Sequence, residues 1–203
     1  MTLTIFGSPR SRTMRVLWMA AELGLDYEHV PLAFDDPQLK SAAFLAVNPA
    51  GAIPAIVDDG FALAESLAIN LYLARRYGSD GQAPLYPATL QGAADAWRWS
   101  LWAQGQLEPW VMRDALLADL RAATAEAAKP VVDAALATLG RALQGRSWLV
   151  GEAFTVADLN VAAVLSPSRA MHLDLRGHPT VGDWLERCYA RPAAVATRER
   201  FAA

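Results

Sequence analysis

The chain has 203 residues, which is enough for one large domain or for two small ones with a real hydrophobic core. Its composition, 54% hydrophobic and 19% charged, is typical of a globular protein and excludes a disordered chain. A net charge of −3 provides no electrostatic reason to expect binding to nucleic acid or to an anionic membrane.

Cysteine and histidine are too sparse to suggest a redox or metal centre. The single cysteine, Cys188, excludes an intramolecular disulfide and a Cys-x-x-Cys site. His29, His172 and His178 lack metal-ligand spacing, so we expect no metal. The first residues lack the features of a signal peptide, and no apolar run approaches the roughly 18 residues that span a bilayer. We therefore expect a cytoplasmic protein.

The first half of the chain predicts alternating strands and helices. Strands are predicted at 3–6 and 27–32, with a helix at 12–23 between them that Gly24 ends. A short helix is predicted at 39–46. A β-α-β start followed by a hairpin implies a mixed sheet flanked by helices.

The densest local signals lie in residues 48–77. Two short apolar runs predict strands, and Asp59-Gly60 between them suits a two-residue hairpin turn, because both central residues need positive φ. Glu65-Ser66 then begins a helix that either side chain can cap. The predicted strands are 55–57 and 61–64.

The helix start at Glu65-Ser66 also has the chemistry of a binding site. It combines a carboxylate, a hydroxyl and free backbone N–H groups, which together can hold the ammonium and carboxylate of an amino-acid head group. The residues alone favour the simpler interpretation, a helix cap. Composition alone likewise favours a trans peptide bond at Ile53-Pro54, because most X–Pro bonds are trans.

The loop before the first helix is a second candidate site. Ser8 and Ser11 offer hydroxyls beside a helix N-terminus, where partial positive charge favours an anion such as a thiolate. A hydrogen bond to a charged group contributes about 1.5–3 kcal/mol, which lowers a thiol pKa by about one to two units. The simpler interpretation is that Ser11 only caps the helix.

The second half of the chain has almost no strand signal and predicts an all-helical domain. Pro109 is expected to kink or restart a long helix over 89–108. Thr155 and Asp158 have the spacing of a capping box at another helix start. Further helices are predicted at 125–143, 179–189 and 192–200.

Tryptophan is concentrated at the start of this half, with four of the seven residues between Trp97 and Trp110. Trp99, Trp102, Gln106 and Trp110 fall three or four residues apart, which places them on one helical face. Core packing or a dimer contact is the simpler explanation. The functional one is an aromatic wall for an apolar electrophile.

The pattern N-P-x-G-x-I-P-x-(I/L)-x-D-D-G-x-x-L-x-E-S-x-A-I over 48–69 resembles the glutathione-binding half of cytosolic glutathione transferases. The G-x-x-x-T-x-A-D run from Gly151 resembles their C-terminal domain. The resemblance implies an α/β thioredoxin-like domain at 1–78, a linker at 79–88 and an all-α domain at 89–203.

The same resemblance implies roles for individual residues in binding glutathione as co-substrate. Ile53, before a cis Pro54, pairs its backbone with the cysteine of glutathione as an added strand would. Glu65 and Ser66 hold the γ-glutamyl end, and Lys40 holds the glycyl carboxylate. The chain departs from the family where apolar Leu39 and Ala52 replace residues that are often polar.

The resemblance is to serine-type transferases, so Ser11 becomes the leading candidate to stabilise the thiolate. Counting forward from Gly7 favours Ser11, whereas counting back from 15–17 places Arg10 at that position. Arg10 is therefore the alternative, and Ser8 is a weaker one. The pocket for the electrophile is expected to include Trp102, Gln106 and Trp110, and also Met112, Arg113 and His172.

The implied function is a homodimeric glutathione transferase that attacks small hydrophobic electrophiles, as in detoxification. One alternative is a non-catalytic binding or regulatory module with the same fold. Another is a glutathione-dependent isomerase, although the Ser-Ser-Cys signature of that branch is missing.

Overall fold

A computed structural model describes most of the chain, which forms two compact units. The first unit contains Met1–Tyr86 and Arg191–Ala203, and the second contains Pro87–Ala190. No helix in the part described is long and apolar enough to cross a membrane. The residues described are 2–79, 84–111, 121–166, 173 and 175–202, with the backbone alone for 121–128.

A four-stranded mixed sheet forms the centre of the first unit, as predicted. The strand order is β2-β1-β3-β4; β1 and β2 are parallel, and the other two pairs are antiparallel. The strands are β1 (Leu3–Phe6), β2 (Glu28–Val30), β3 (Ala55–Asp58) and β4 (Phe61–Ala64).

The turn between β3 and β4 has the conformation that its residues predict. Asp59 and Gly60 both have positive φ, 47° and 87°. Asp-Gly tolerates this backbone better than most pairs, and its twist matches that of the flanking strands. The predicted hairpin is therefore confirmed.

Three helices within the first 78 residues pack around this sheet. They are α1 (Thr13–Glu22), α2 (Ala42–Val47) and α3 (Ser66–Tyr77), with a 3₁₀ turn at Pro37–Lys40. Helix α1 was predicted to bury one apolar face, but residues 15–20 are all buried. Packing against α3 accounts for part of this burial.

Buried Asp58 links the end of β3 to the last turns of α3. Its carboxylate accepts hydrogen bonds from the hydroxyls of Tyr72 at 2.9 Å and Tyr77 at 2.8 Å. The Nε atom of Arg76 lies 3.3 Å from the same carboxylate. These contacts fix α3 against the strand that follows the Ile53-Pro54 loop.

The described part of the second unit is helical and contains no strand. Its helices are α4 (Leu90–Trp102), α5 (Glu108–Val111), α6 (Arg121–Ala142), α7 (Val156–Leu165) and α8 (Pro179–Tyr189).

A π turn, Ala103–Leu107, joins α4 to α5. The N–H of Glu108 donates to the carbonyl of Ala103, five residues back. Pro109 follows and has no N–H to continue the ordinary helical pattern. The predicted interruption at this proline is therefore a widened turn, and the helical direction continues through it.

Helix α7 begins with the predicted capping box. The Asp158 carboxylate, fully buried, accepts hydrogen bonds from both the N–H and the hydroxyl of Thr155. It also accepts from the N–H of Leu149 and the indole of Trp184, each at 2.9 Å. Burial raises the pKa of Asp158, and these four donors oppose that change.

The C-terminal helix α9 (Pro192–Arg200) belongs to the first unit, although the sequence analysis assigned it to the helical domain. It packs against α1. The Arg191 guanidinium just before it donates to both oxygens of Glu22, at 2.8 and 2.7 Å. This long-range ion pair explains why the last residues group with the sheet.

Candidate functional site

The sheet register brings three separate chain segments to one edge. Phe6 of β1 pairs with Ala55 of β3, and Ala55 pairs on its other side with Ala64 of β4. Phe6, Ala55 and Ala64 are the strand residues next to three loop segments. Because these three residues are paired side by side, the segments leave the sheet beside one another. The segments are Gly7–Ser11, Ile53-Pro54 and Glu65-Ser66.

The Ile53-Pro54 peptide bond is cis, as the family resemblance implied and contrary to the prediction from composition. The Ile53 side chain is 8% exposed and packs in a core cluster that includes Leu39. Leu39 is therefore apolar because it belongs to the core. Among the described residues, the backbone N–H and carbonyl of Ile53 have no hydrogen-bond partner.

The loop before Ile53 is held by side chains on both sides of it. Asn48, 7% exposed, donates from Nδ2 to the carbonyl of Ala52 at 2.7 Å. Lys40 donates from Nζ to the carbonyl of Gly51 at 3.1 Å. Gly51 has φ 58°, and a Cβ there would lie 2.8 Å from the backbone carbonyl oxygen of Leu39. The loop geometry therefore requires this glycine, and sequence reasoning did not identify Asn48 as its organiser.

Glu65 has a backbone conformation that residues other than glycine rarely adopt. Its φ and ψ are 69° and 107°, and its side chain makes no capping hydrogen bond to α3. Glu65 therefore occupies the N-cap position without capping α3 through its side chain. Such a conformation costs about 1–3 kcal/mol and is concentrated at functional sites.

Ser66 begins α3, where the first backbone N–H groups have no partners within the helix. Its hydroxyl accepts a hydrogen bond from Nη1 of Arg15 at 3.3 Å, and both residues are buried. A buried guanidinium beside a helix N-terminus creates a positive environment that suits a carboxylate.

Arg15 is a functional candidate that sequence reasoning missed. It was used only to align the first helix with the family. The available signal was its position before six apolar residues, 16–21, in a helix packed against the sheet. A charged residue there is either exposed or committed to a buried polar contact, and the structure shows the second case, with Arg15 only 3% exposed.

The Ser11 hydroxyl is half-buried at the start of α1. It donates to the carbonyl of Ser8 at 2.7 Å, and it accepts from the N–H of Thr13 at 3.0 Å. The hydroxyl of Thr13 lies 2.8 Å away. Arg10 is exposed, and its backbone N–H donates to the Ser8 hydroxyl at 3.3 Å.

The aromatic residues of the second unit do not share one regular helical face. Trp99 is 2% exposed and packs edge-on against half-buried Trp102, with ring centroids 5.2 Å apart. The π turn then inserts an extra residue before half-buried Trp110, and Gln106 is exposed. The other proposed pocket residues, Met112, Arg113 and His172, lie outside the described residues.

Two family models match the chain. The glutathione S-transferase N-terminal domain matches residues 1–75, and the glutathione S-transferase C-terminal domain matches residues 102–192. The chain is 34% identical to glutathione S-transferase 3 of Zea mays over 94% of this chain and 90% of the relative. It is 29% identical to glutathione S-transferase GstB of Escherichia coli K12, over 94% and 95%.

Solved structures of the same fold include glutathione transferase F7 of Populus trichocarpa, with TM-score 0.81, 27% identity and coverage of 98% and 99%. Ure2p in complex with glutathione shares the fold, with TM-score 0.85, 21% identity and coverage of 98% and 94%. The two matched domain models and the relative of Zea mays at 34% identity show that the chain belongs to the glutathione S-transferase family of enzymes.

Proposed function

We propose that the chain binds glutathione at the sheet edge where Phe6, Ala55 and Ala64 meet, and joins the tripeptide through its sulfur to a small hydrophobic electrophile. The observation that carries this proposal is the meeting of three unlike groups at that edge. They are a hydroxyl at a helix N-terminus, the unpaired backbone of Ile53, and an acidic residue beside a second helix N-terminus.

In this proposal each part of the tripeptide has a matching partner. The unpaired backbone of Ile53 bonds to the cysteine of glutathione. The Glu65 carboxylate takes the γ-glutamyl ammonium, while Ser66 and the α3 N-terminus take its carboxylate. Lys40 uses one of its three donors on Gly51, so its ammonium still has donors for the glycyl carboxylate.

Ser11 is the group we assign to the thiolate. A hydrogen bond from its hydroxyl, reinforced by the α1 N-terminus, favours the charged form of the thiol. The thiolate attacks an electrophilic carbon; a carbon–sulfur bond forms, and the leaving group departs with the electron pair of the bond that breaks. Exposed Arg10 remains the alternative, acting through its charge, with Ser8 a weaker one.

A second candidate function is glutathione binding without catalysis. One observation favours it: the Ser11 hydroxyl donates to the Ser8 carbonyl at 2.7 Å. To stabilise a thiolate, Ser11 has to rotate away from that carbonyl. If the bond to Ser8 persists, glutathione binds as the neutral thiol.

For the electrophile we propose contacts with Trp102, Gln106 and Trp110. The two indoles are half-buried, so each exposes part of an apolar ring that can pack on a hydrophobic compound. The proposal extends to removal of reactive electrophiles by a homodimer in the cytoplasm, where glutathione is kept largely reduced.

The test is titration calorimetry with glutathione, with thiolate absorbance followed against pH, on wild type, Ser11→Ala and Ser8→Ala. We expect wild type to bind glutathione and lower its thiol pKa, and Ser11→Ala to restore the ordinary pKa while Ser8→Ala does not. Binding with a normal thiol pKa in wild type would favour the non-catalytic function. A lowered pKa that survives in Ser11→Ala would transfer the role to Arg10 or Ser8. Absence of binding at millimolar glutathione would overturn the site itself.

A further inference from the structure

Thr13 has a hydroxyl that the proposed mechanism does not use. It is the first residue of α1 and is fully buried. Its hydroxyl oxygen lies 2.8 Å from the Ser11 hydroxyl, and its backbone N–H donates to the same Ser11 oxygen. Two groups of one residue therefore converge on the proposed catalytic oxygen.

The position of the Thr13 hydroxyl depends on Gly7 at the end of β1. A Cβ at Gly7 would lie 2.2 Å from the Thr13 hydroxyl oxygen and 2.9 Å from Cβ of Ile53. The hydroxyl thus occupies the space that a side chain at Gly7 would take. Thr13 is packed beside the cis-proline loop and has no surface through which it can contact a ligand directly.

The hydrogen-bonding capacity of a hydroxyl determines the direction of the Thr13–Ser11 bond. A serine hydroxyl has one proton to donate and two lone pairs that accept. The Ser11 proton goes to the Ser8 carbonyl in the resting arrangement, and to a thiolate in the reacting one. In both arrangements Ser11 accepts from the N–H of Thr13, and its second lone pair is left for the Thr13 proton.

We infer that Thr13 is a positioning residue, which donates to Ser11 and thereby strengthens the hydrogen bond that Ser11 makes to the glutathione thiolate. Hydrogen bonds in a chain polarise one another, so a hydroxyl that accepts a proton becomes a better donor. Thr13 also holds the Ser11 oxygen in place when the Ser11 hydroxyl turns its proton away from the Ser8 carbonyl. This inference rests on the proposed function.

The expected effect is smaller than that of Ser11 itself. Cooperative strengthening is about 10–30% per bond, and a Ser11–thiolate bond lowers the thiol pKa by about one to two units. Loss of the Thr13 hydroxyl should therefore raise the pKa of bound glutathione by up to about half a unit. At a pH below that pKa, the thiolate fraction and kcat should fall by up to about threefold.

The experiment compares wild type, Thr13→Val, Thr13→Ser, Ser11→Ala and the double variant Ser11→Ala/Thr13→Val. Each is titrated with glutathione by calorimetry, and the thiol pKa of the bound tripeptide is read from thiolate absorbance. We expect Thr13→Val to raise that pKa with little change in glutathione Kd, and Thr13→Ser to keep the wild-type value. Because Thr13 acts through Ser11, the valine substitution should have no further effect on the pKa in the Ser11→Ala background.

The outcomes separate this inference from the function on which it depends. If wild type does not lower the thiol pKa, the proposed function is wrong, and the inference about Thr13 is wrong as well. If wild type lowers it and Ser11→Ala restores it, an unchanged pKa in Thr13→Val overturns the inference alone. An equal rise from Thr13→Val in both backgrounds also overturns it, because Thr13 would then act independently of Ser11. Since a valine methyl is larger than the hydroxyl packed over Gly7, Thr13→Ala serves as the second variant, and near-UV circular dichroism checks the fold of each.

Discussion

Arg15 places a buried positive charge against the hydroxyl of Ser66, and this contact has a consequence at the scale of one residue. We expect Arg15→Met to raise the Kd for glutathione by about tenfold or more, because the proposed site loses the buried charge that favours the γ-glutamyl carboxylate, and an interaction with a charged group contributes about 1.5–3 kcal/mol. The thiol pKa of bound glutathione should change little, since Ser11 is untouched. Calorimetry measures the first quantity and thiolate absorbance the second.

Arg98→Met is the matched control for this prediction. Arg98 is exposed on α4, where it pairs with Asp95 and lies over the Trp99 ring, so its removal takes away one positive charge without removing a contact to the proposed glutathione-binding residues. An Arg15→Met variant that folds and binds glutathione as tightly as Arg98→Met would show that Arg15 has no role in recognising the tripeptide.

Tyr77 gives the protein a pH dependence at the alkaline end. Burial, with the hydrogen bond to Asp58, raises the pKa of Tyr77 from 10.0 to about 12. Because the folded-state pKa is above the unfolded one, the stability from this group is fully present below about pH 10. It is lost as the pH rises through about 12.

We therefore expect Tyr77→Phe to lower the free energy of unfolding at neutral pH, and to lower it progressively less above pH 10. Urea titrations of wild type and variant at a series of pH values measure this difference. A gap between the two proteins that stays constant from pH 7 to about pH 12 would contradict the assignment.

At the scale of an element, α7 depends on the carboxylate of Asp158. Four donors from Leu149, Thr155 and Trp184 converge on its two oxygens. Each buried donor left without a partner costs about 1–3 kcal/mol. We expect Asp158→Ala to lower the free energy of unfolding by about 3 kcal/mol or more, measured by urea denaturation.

Asp183→Ala provides the comparison for Asp158→Ala, because Asp183 lies on the exposed side of neighbouring α8. Its substitution should change stability by no more than about 0.5 kcal/mol. Similar losses from the two substitutions would mean that the network around Asp158 has little net value.

Helix α9 is retained on the first unit partly by the pair between Arg191 and Glu22. The Glu22 side chain is only 4% exposed, and breaking a buried pair by removing one partner is strongly destabilising. We expect Arg191→Met to increase amide hydrogen exchange in residues 192–200 under conditions in which the rest of the protein stays folded. Asp95→Asn breaks an exposed pair and should leave exchange in that helix unchanged; equal exchange in both variants would contradict the prediction.

At the scale of the whole molecule, α4 carries a line of exposed apolar side chains. Leu90, Trp97 and Leu101 are 78%, 50% and 70% exposed, and their spacing of seven and four residues places them on one side of the helix. In the proposed homodimer, a second copy of the chain would cover this side of α4. An exposed apolar stripe of this kind often marks such a contact.

We expect Leu101→Glu to convert a dimer into a monomer, as measured by light scattering during size-exclusion chromatography. Gln91→Glu, also exposed on α4, adds the same charge without removing an apolar side chain and should leave the mass unchanged. A wild-type protein that is monomeric at all concentrations tested would refute the homodimer.

The sequence alone determined the features whose causes lie within a few residues. The Asp59-Gly60 turn, the Thr155–Asp158 capping box and the helix Pro179–Tyr189 follow from local turn, cap and proline chemistry, and all three were predicted correctly. The long motif over 48–69 also identified the family. Such signals survive in the sequence because the interacting residues are neighbours along the chain.

Only the tertiary structure decided which distant residues meet. The buried contact of Arg15 with Ser66, the return of Arg191 to Glu22 and the alignment of three segments at the sheet edge join residues 51 or more positions apart, or depend on strand register. No local window contains both partners of such a contact. The packing of the whole unit therefore determined these parts of the candidate site, because burial and hydrogen bonding depend on neighbours in space.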